Sequence, residues 1–96
     1  MGTARSVGEL ARLVGGIVEG DEAYLIHGVA DLAGAGSQEL SFFSHPRYES
    51  LARQTKAGAL LVGTSAPKDL GKIRIRVAQP SAAFTQIATL FAPPVS

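Results

Sequence analysis

No cysteine occurs among the 96 residues, which excludes a disulfide framework and any thiolate metal site. Tryptophan is absent too. Only four phenylalanines and two tyrosines supply large rings, so any clustering of them is informative. An excess of one charge is also missing. Nine Lys and Arg against eight Asp and Glu leave a formal net charge of +1, without the basic face that a phosphate-backbone binder carries. No apolar run approaches the roughly 20 residues of a membrane-spanning helix. No apolar stretch resembling a secretion signal follows Met1–Ser6. A soluble, cytoplasmic domain is expected. A chain of this length buries roughly 60–65% of its unfolded surface, enough for one modest domain.

Periodicity supplies the elements. Val7, Leu10, Ala11 and Val14 recur at helical spacing, with Ser6 and Glu9 placed as a capping box and Gly15-Gly16 as the stop. A helix over Ser6–Val14 is expected. Ile17–Glu19 and Tyr24–Val29 read as short strands, with turn chemistry between them that allows a hairpin. Ala30–Ser37 is rich in breakers and reads as loop. Leu40–Ser44 reads as a strand that His45-Pro46 ends, and Pro46 then opens a helix through Gln54. Ala59–Val62 is a continuous apolar run, the pattern of a strand buried on both faces. Ile73–Val77 alternates strictly, which predicts a half-buried strand with Arg74 and Arg76 outward. A last helix runs from Pro80 to Phe91, stopped by Pro93-Pro94. The order predicts an α/β domain, a small mixed β-sheet flanked by helices, with Leu60, Val62, Ile73, Ile75 and Val77 in its core. Residues 1–92 form the domain, and 93–96 look like the start of a linker.

Conventional catalytic sets are missing. There is no Gly-x-Ser-x-Gly elbow, no His-Glu-x-x-His helix and no Walker-type lysine loop, and Gly34-Ala35-Gly36 lacks the third glycine of a dinucleotide fingerprint. His27 falls inside a strand and reads as an ordinary strand residue. No catalytic residue, metal site or cofactor is expected in this chain. What stands out is Ser41-Phe42-Phe43-Ser44-His45-Pro46-Arg47-Tyr48, where three of the six aromatics fall within seven residues. A strand alternates faces, so only one of Phe42 and Phe43 is expected in the core. The other can join Tyr48 in flanking a slot for a planar ring, and the amides at the Pro46 helix start suit a diphosphate. The competing reading is that both phenylalanines pack in the core and Tyr48 is an ordinary helix residue.

Further blocks carry a resemblance: Ser6–Ala11 with Gly15-Gly16, Ile26–Leu32, Leu40–Ser44 with Tyr48, Lys56–Val62, and Gln79–Phe84 up to Leu90-Phe91. In this order and spacing they resemble the N-terminal uridine-binding domain of the UDP-3-O-acylglucosamine N-acyltransferases of lipid A biosynthesis, which shares its α/β design with the N-terminal domains of Mur ligases. The resemblance implies that uracil sits between Phe42 and Tyr48 with His45 at the slot's edge. His45 stands where the family usually has Asn, and Gln79 where it commonly has Asn before the proline. It also implies UDP-acylglucosamine as substrate, acyl-carrier protein as acyl donor and a homotrimeric parent. In that family acyl transfer belongs to a hexapeptide β-helix domain whose repeats are absent from these residues, so the chain alone is expected to be inactive. Two other readings stay open: the uridine-binding domain of a Mur-type peptidoglycan ligase, and a non-catalytic interaction module of the same fold.

Overall fold

The computed structural model describes residues 4–67, 70 and 72–91, so the expected linker at 93–96 and the Pro93-Pro94 stop lie outside them. In chain order the elements are β1 (Arg5–Ser6), α1 (Val7–Val14), β2 (Ile17–Glu19), β3 (Leu25–Ile26), β4 (Gly28–Val29) and β5 (Glu39–Phe43). A 3₁₀ turn (Pro46–Tyr48), α2 (Glu49–Gln54), β6 (Ala59–Val62), β7 (Ile73–Arg76) and α3 (Pro80–Phe91) follow. The fold is mixed α/β, as expected. Its sheet has the order β2-β7-β6-β5-β4, parallel throughout except where β2 joins β7 antiparallel.

Capping sets the ends of α1. Ser6 Oγ accepts from the Glu9 amide at 3.2 Å, and Gly15 closes the helix at φ 68, a left-handed geometry that costs glycine least. Only half of the capping box forms, because the Glu9 carboxylate pairs with Arg5 instead of returning to the Ser6 amide.

Alternation along β5, β6 and β7 builds two cores, one on each face of the sheet. Leu40, Ala59, Leu61 and Ile75 pack beneath Val7, Leu10 and Ala11 of α1 and Ala83 and Ile87 of α3. On the other face Phe43, Leu60 and Val62 meet Ala52 of α2 together with Ala35, Ala57 and Leu70. Of the expected core residues, Leu60, Val62, Ile75 and Val77 are buried, while Ile73 is only half-buried where β7 begins.

Three expectations are corrected. The Tyr24–Val29 strand is two strands. Leu25–Ile26 pairs with β1 in a separate ribbon, and beyond His27 the chain joins the main sheet beside β5. No hairpin links it to β2, which pairs instead with β7. Both halves are too short for period-two patterning to separate them, and β1 is shorter than any periodic signal. The helix expected over Pro46–Gln54 begins as a 3₁₀ turn, since Tyr48 at φ −97, ψ 8 interrupts regular α geometry.

The third correction concerns Arg74 and Arg76. They leave the first core but are not solvated, with side chains 13% and 11% exposed. Arg76 meets both oxygens of Glu19 through Nε at 3.1 Å and Nη2 at 2.9 Å, and Arg74 Nε adds a contact at 3.0 Å. Such a bidentate, charge-assisted arrangement across a strand pair is stronger than an ordinary surface ion pair. Arg76 Nη1 also donates to the carbonyls of Gly63, Thr64 and Ala66 at 2.9, 3.2 and 3.1 Å, fastening the turn after β6 over the second face.

The two arginines, Arg76 foremost, hold the Glu19 carboxyl at about 2 against an ordinary 4.5. The folded chain therefore binds this proton less readily than the unfolded chain. The resulting stability is complete above pH 4.5 and is lost as pH falls toward about 2. Urea midpoints measured from neutrality down to the acid end of that range should show Glu19→Gln less stable than the native chain near neutrality. The two curves should converge at the acid end.

Candidate functional site

The site begins where a strand loses its neighbour. β4 accompanies β5 only along Glu39 and Leu40, so among the described residues no strand pairs with the β5 edge from Ser41 onward. Chain leaving β4 turns at Asp31–Gly34 and stands off from that edge. A cleft of about 340 Å³ results, lined by Asp31, Leu32 and Ala33, by Ser41–Ser44, and by Tyr48 and Leu51. The Asp31 turn is well held. Its Oδ1 accepts from the Gly34 amide at 2.7 Å, its carbonyl accepts from Ala35, and Thr55 Oγ1 donates to the Leu32 carbonyl at 2.6 Å.

Phe42 and Tyr48 thus line one cleft. Phe42 is half-buried and its ring lies 4.7 Å from that of Phe84, tilted by 37°. Tyr48 is 42% exposed. Phe43 is the buried member of the pair, in the second core. Only one of the two rings is thus a buried core residue, as alternation predicts, while Phe42 is partly buried and packs against the margin of the first core.

His45 lies in an adjoining cleft of about 210 Å³, which shares Phe43 and Ser44 with the first and is closed by Gly63, Ser65 and Pro67. The turn that Arg76 fastens is therefore one wall of this second cleft. The His45 ring caps the 3₁₀ turn, with Nδ1 accepting from the Arg47 amide at 3.1 Å, and meets the Tyr48 ring edge-on at 6.4 Å. With Nδ1 as the acceptor, the neutral ring carries its proton on Nε2, which leaves one donor. The same capping removes the expected anion site. Pro46 has no N–H, the Arg47 amide goes to His45, the Tyr48 amide goes to the His45 carbonyl, and the Glu49 amide goes to Pro46. The Arg47 guanidinium lies 5.3 Å from the Tyr48 ring centre.

His27 is exposed at the opposite end of β5, beside Gly36–Glu39. Among the described residues no group of three or more His, Asp or Glu is placed to hold a metal ion, and no helix is long and apolar enough to cross a membrane. Gln79 is exposed and starts α3 through its carbonyl, which accepts from Ala83. Sequence reasoning overlooked Asp31 and Ser41 as cleft residues. The signal for Asp31 was an acceptor three residues before Gly34 in a breaker-rich stretch. Ser41 gave none.

Residues 23–90 match the family described as UDP-3-O-(3-hydroxymyristoyl) glucosamine N-acyltransferase, LpxD. The chain is 44% identical over 88 residues to a UDP-3-O-acylglucosamine N-acyltransferase of Methylacidiphilum infernorum (isolate V4), covering 92% of this chain and 25% of that protein. To the protein of the same name from Myxococcus xanthus (strain DK1622) it is 42% identical over 90 residues, covering 94% and 26%. A Marinomonas protein of that name is 42% identical over 88 residues, covering 92% and 26%. The chain thus spans about a quarter of the length of these relatives.

Exposure separates the two aromatic positions energetically. Tyr48→Ala removes a ring that is largely outside the cores and should change stability by less than about 1 kcal/mol. Phe42→Ala removes a ring packed on Phe84 and should cost up to about 3 kcal/mol. Urea denaturation of both variants reads the difference, and a Tyr48 loss equal to that of Phe42 would contradict it.

Proposed function

Since the chain belongs to the UDP-3-O-acylglucosamine N-acyltransferase family, we propose that it is the domain that recognises the uridine nucleotide of the sugar substrate. The observation that carries this reading is the meeting of Phe42 and Tyr48 in one cleft at the open edge of β5. A uracil ring offers two flat faces, and each aromatic stacked on it contributes about 1–3 kcal/mol. The Nε2–H of His45 supplies one donor for a base carbonyl, where a side-chain amide would supply a donor and an acceptor together. The Arg47 guanidinium, next to Tyr48, suits the diphosphate better than the occupied amides of the turn do.

In this reading the whole protein is cytoplasmic and transfers an acyl group from acyl-carrier protein to the 2-amino group of UDP-3-O-acylglucosamine in lipid A synthesis. Trimer formation and acyl transfer belong to the part of the relatives that this chain does not span. Neither His27, at the far end of the sheet, nor His45, engaged as a cap, is assigned as a catalytic base. The family match does not favour a Mur-type ligase. A non-catalytic module of the same fold is separated by nucleotide binding.

Titrating UDP into the isotopically labelled chain should shift amide signals of residues 42–48 far more than those of Ile73–Val77. Tyr48→Ala should weaken binding by one stacking increment, about 1–3 kcal/mol, with the fold intact. Unchanged affinity in that variant would reduce the aromatic pair to packing. Incubating the 96-residue chain with acyl donor and UDP-sugar should give no turnover, because general base catalysis needs a base positioned against the amine. Product formation would refute that division of labour.

A further inference from the structure

The cleft holds one ionised side chain, and the aromatic pair does not account for it. Asp31 lines the cleft together with Tyr48 and Leu51, and one of its carboxylate oxygens accepts from the Gly34 amide. The other oxygen has no hydrogen-bond partner among the described residues. Its backbone is fixed by the Ala35 amide and, one residue on, by the Thr55 hydroxyl, and the Gly34 bond orients the exposed carboxylate on that turn. In the same cleft, Ser41 is fully buried and its hydroxyl has no partner among the described residues. A polar atom left unpaired in this way is costly unless something completes it.

We propose that Asp31 accepts the ribose hydroxyls of the nucleotide, an inference that rests on the uridine reading above. A carboxylate repels a diphosphate, and it faces two carbonyl acceptors on uracil for a single N–H. A vicinal diol instead presents two O–H donors and no charge. The sugar lies between base and phosphates, so a base stacked in the cleft brings those hydroxyls to the cleft wall. Carboxylate acceptors paired with sugar hydroxyls are a recurrent solution in nucleotide recognition, and bonds to a charged acceptor are the stronger kind. Asp31 would thereby set the preference for ribonucleotide over its deoxy forms.

The test compares UDP with 2′,3′-dideoxy-UDP by calorimetry on the native chain, Asp31→Asn and Tyr48→Ala. Asn keeps the oxygen that accepts from Gly34 and replaces the unpaired oxygen with a donor, so the turn survives while the diol loses its acceptor. The native chain should bind UDP roughly ten- to a hundredfold more tightly than the dideoxy nucleotide. In Asp31→Asn the preference should shrink to about twofold or less, with the Gly34 amide resonance retained. In Tyr48→Ala both nucleotides should weaken and the preference should remain. Equal affinity of the native chain for the two nucleotides, or an undiminished preference in Asp31→Asn, would overturn the assignment to Asp31 while leaving the uracil slot standing. Binding of neither nucleotide to the native chain would remove the uridine reading, and this inference with it.

Discussion

Neither face of β6 meets water. Ala59, Leu60, Leu61 and Val62 are each 0% exposed, so a chain of 96 residues must build a cover on both sides of its central strand. Two longer helices cover one face. The other receives only the short α2 and the turns, and its packing uses small residues, Ala35, Ala52 and Ala57, around Phe43 and Leu60. Small side chains let loops approach the sheet closely. Gly58 shows how closely, since a Cβ there would collide with the Ser37 carbonyl and stand 2.7 Å from the Tyr24 ring. The cleft is a by-product of this thin second layer. The turn at Asp31 and the 3₁₀ turn at Tyr48 cover the sheet without closing over the open edge of β5.

The electrostatic arrangement follows from the same geometry. Residues 74 and 76 occupy the second face, beside Leu60 and Val62 of β6. Arginine satisfies the position by reaching Glu19 across the strand pair and the Gly63–Ala66 carbonyls along the sheet. One guanidinium thereby couples an edge strand to the wall of the cleft that holds His45.

Long periodic segments were legible in the sequence because one physical signal dominated each. The α1 helix carried an apolar stripe, a cap and a glycine stop, and β6 had no polar residue at all. Short segments were not. The two-residue strands β1, β3 and β4 are defined by partners distant in the chain, and no local pattern distinguishes a strand that changes sheets at His27 from one that continues. The burial of Arg74 and Arg76 was hidden for a related reason, as alternation reports which face a residue takes but not what covers that face. In the cleft, the aromatics of Phe42 and Tyr48 announced themselves by clustering. The use of the Pro46-turn amides was invisible, because it depends on His45 turning its ring back onto its own chain.

The position of β7 in the sheet also governs the order in which the protein can assemble. β7 lies between β6 and β2, and its ion pairs with Glu19 join residues 55 and 57 positions apart. As the polypeptide leaves the ribosome, α1 and β2 are made first, yet β2 has no partner until Ile73–Arg76 has emerged. The nascent domain must wait with its first edge strand unpaired, and closing so long a loop makes this step slow compared with helix formation. Synthesis of Ile73–Arg76 is therefore the event that joins β2 to the sheet of β4, β5 and β6.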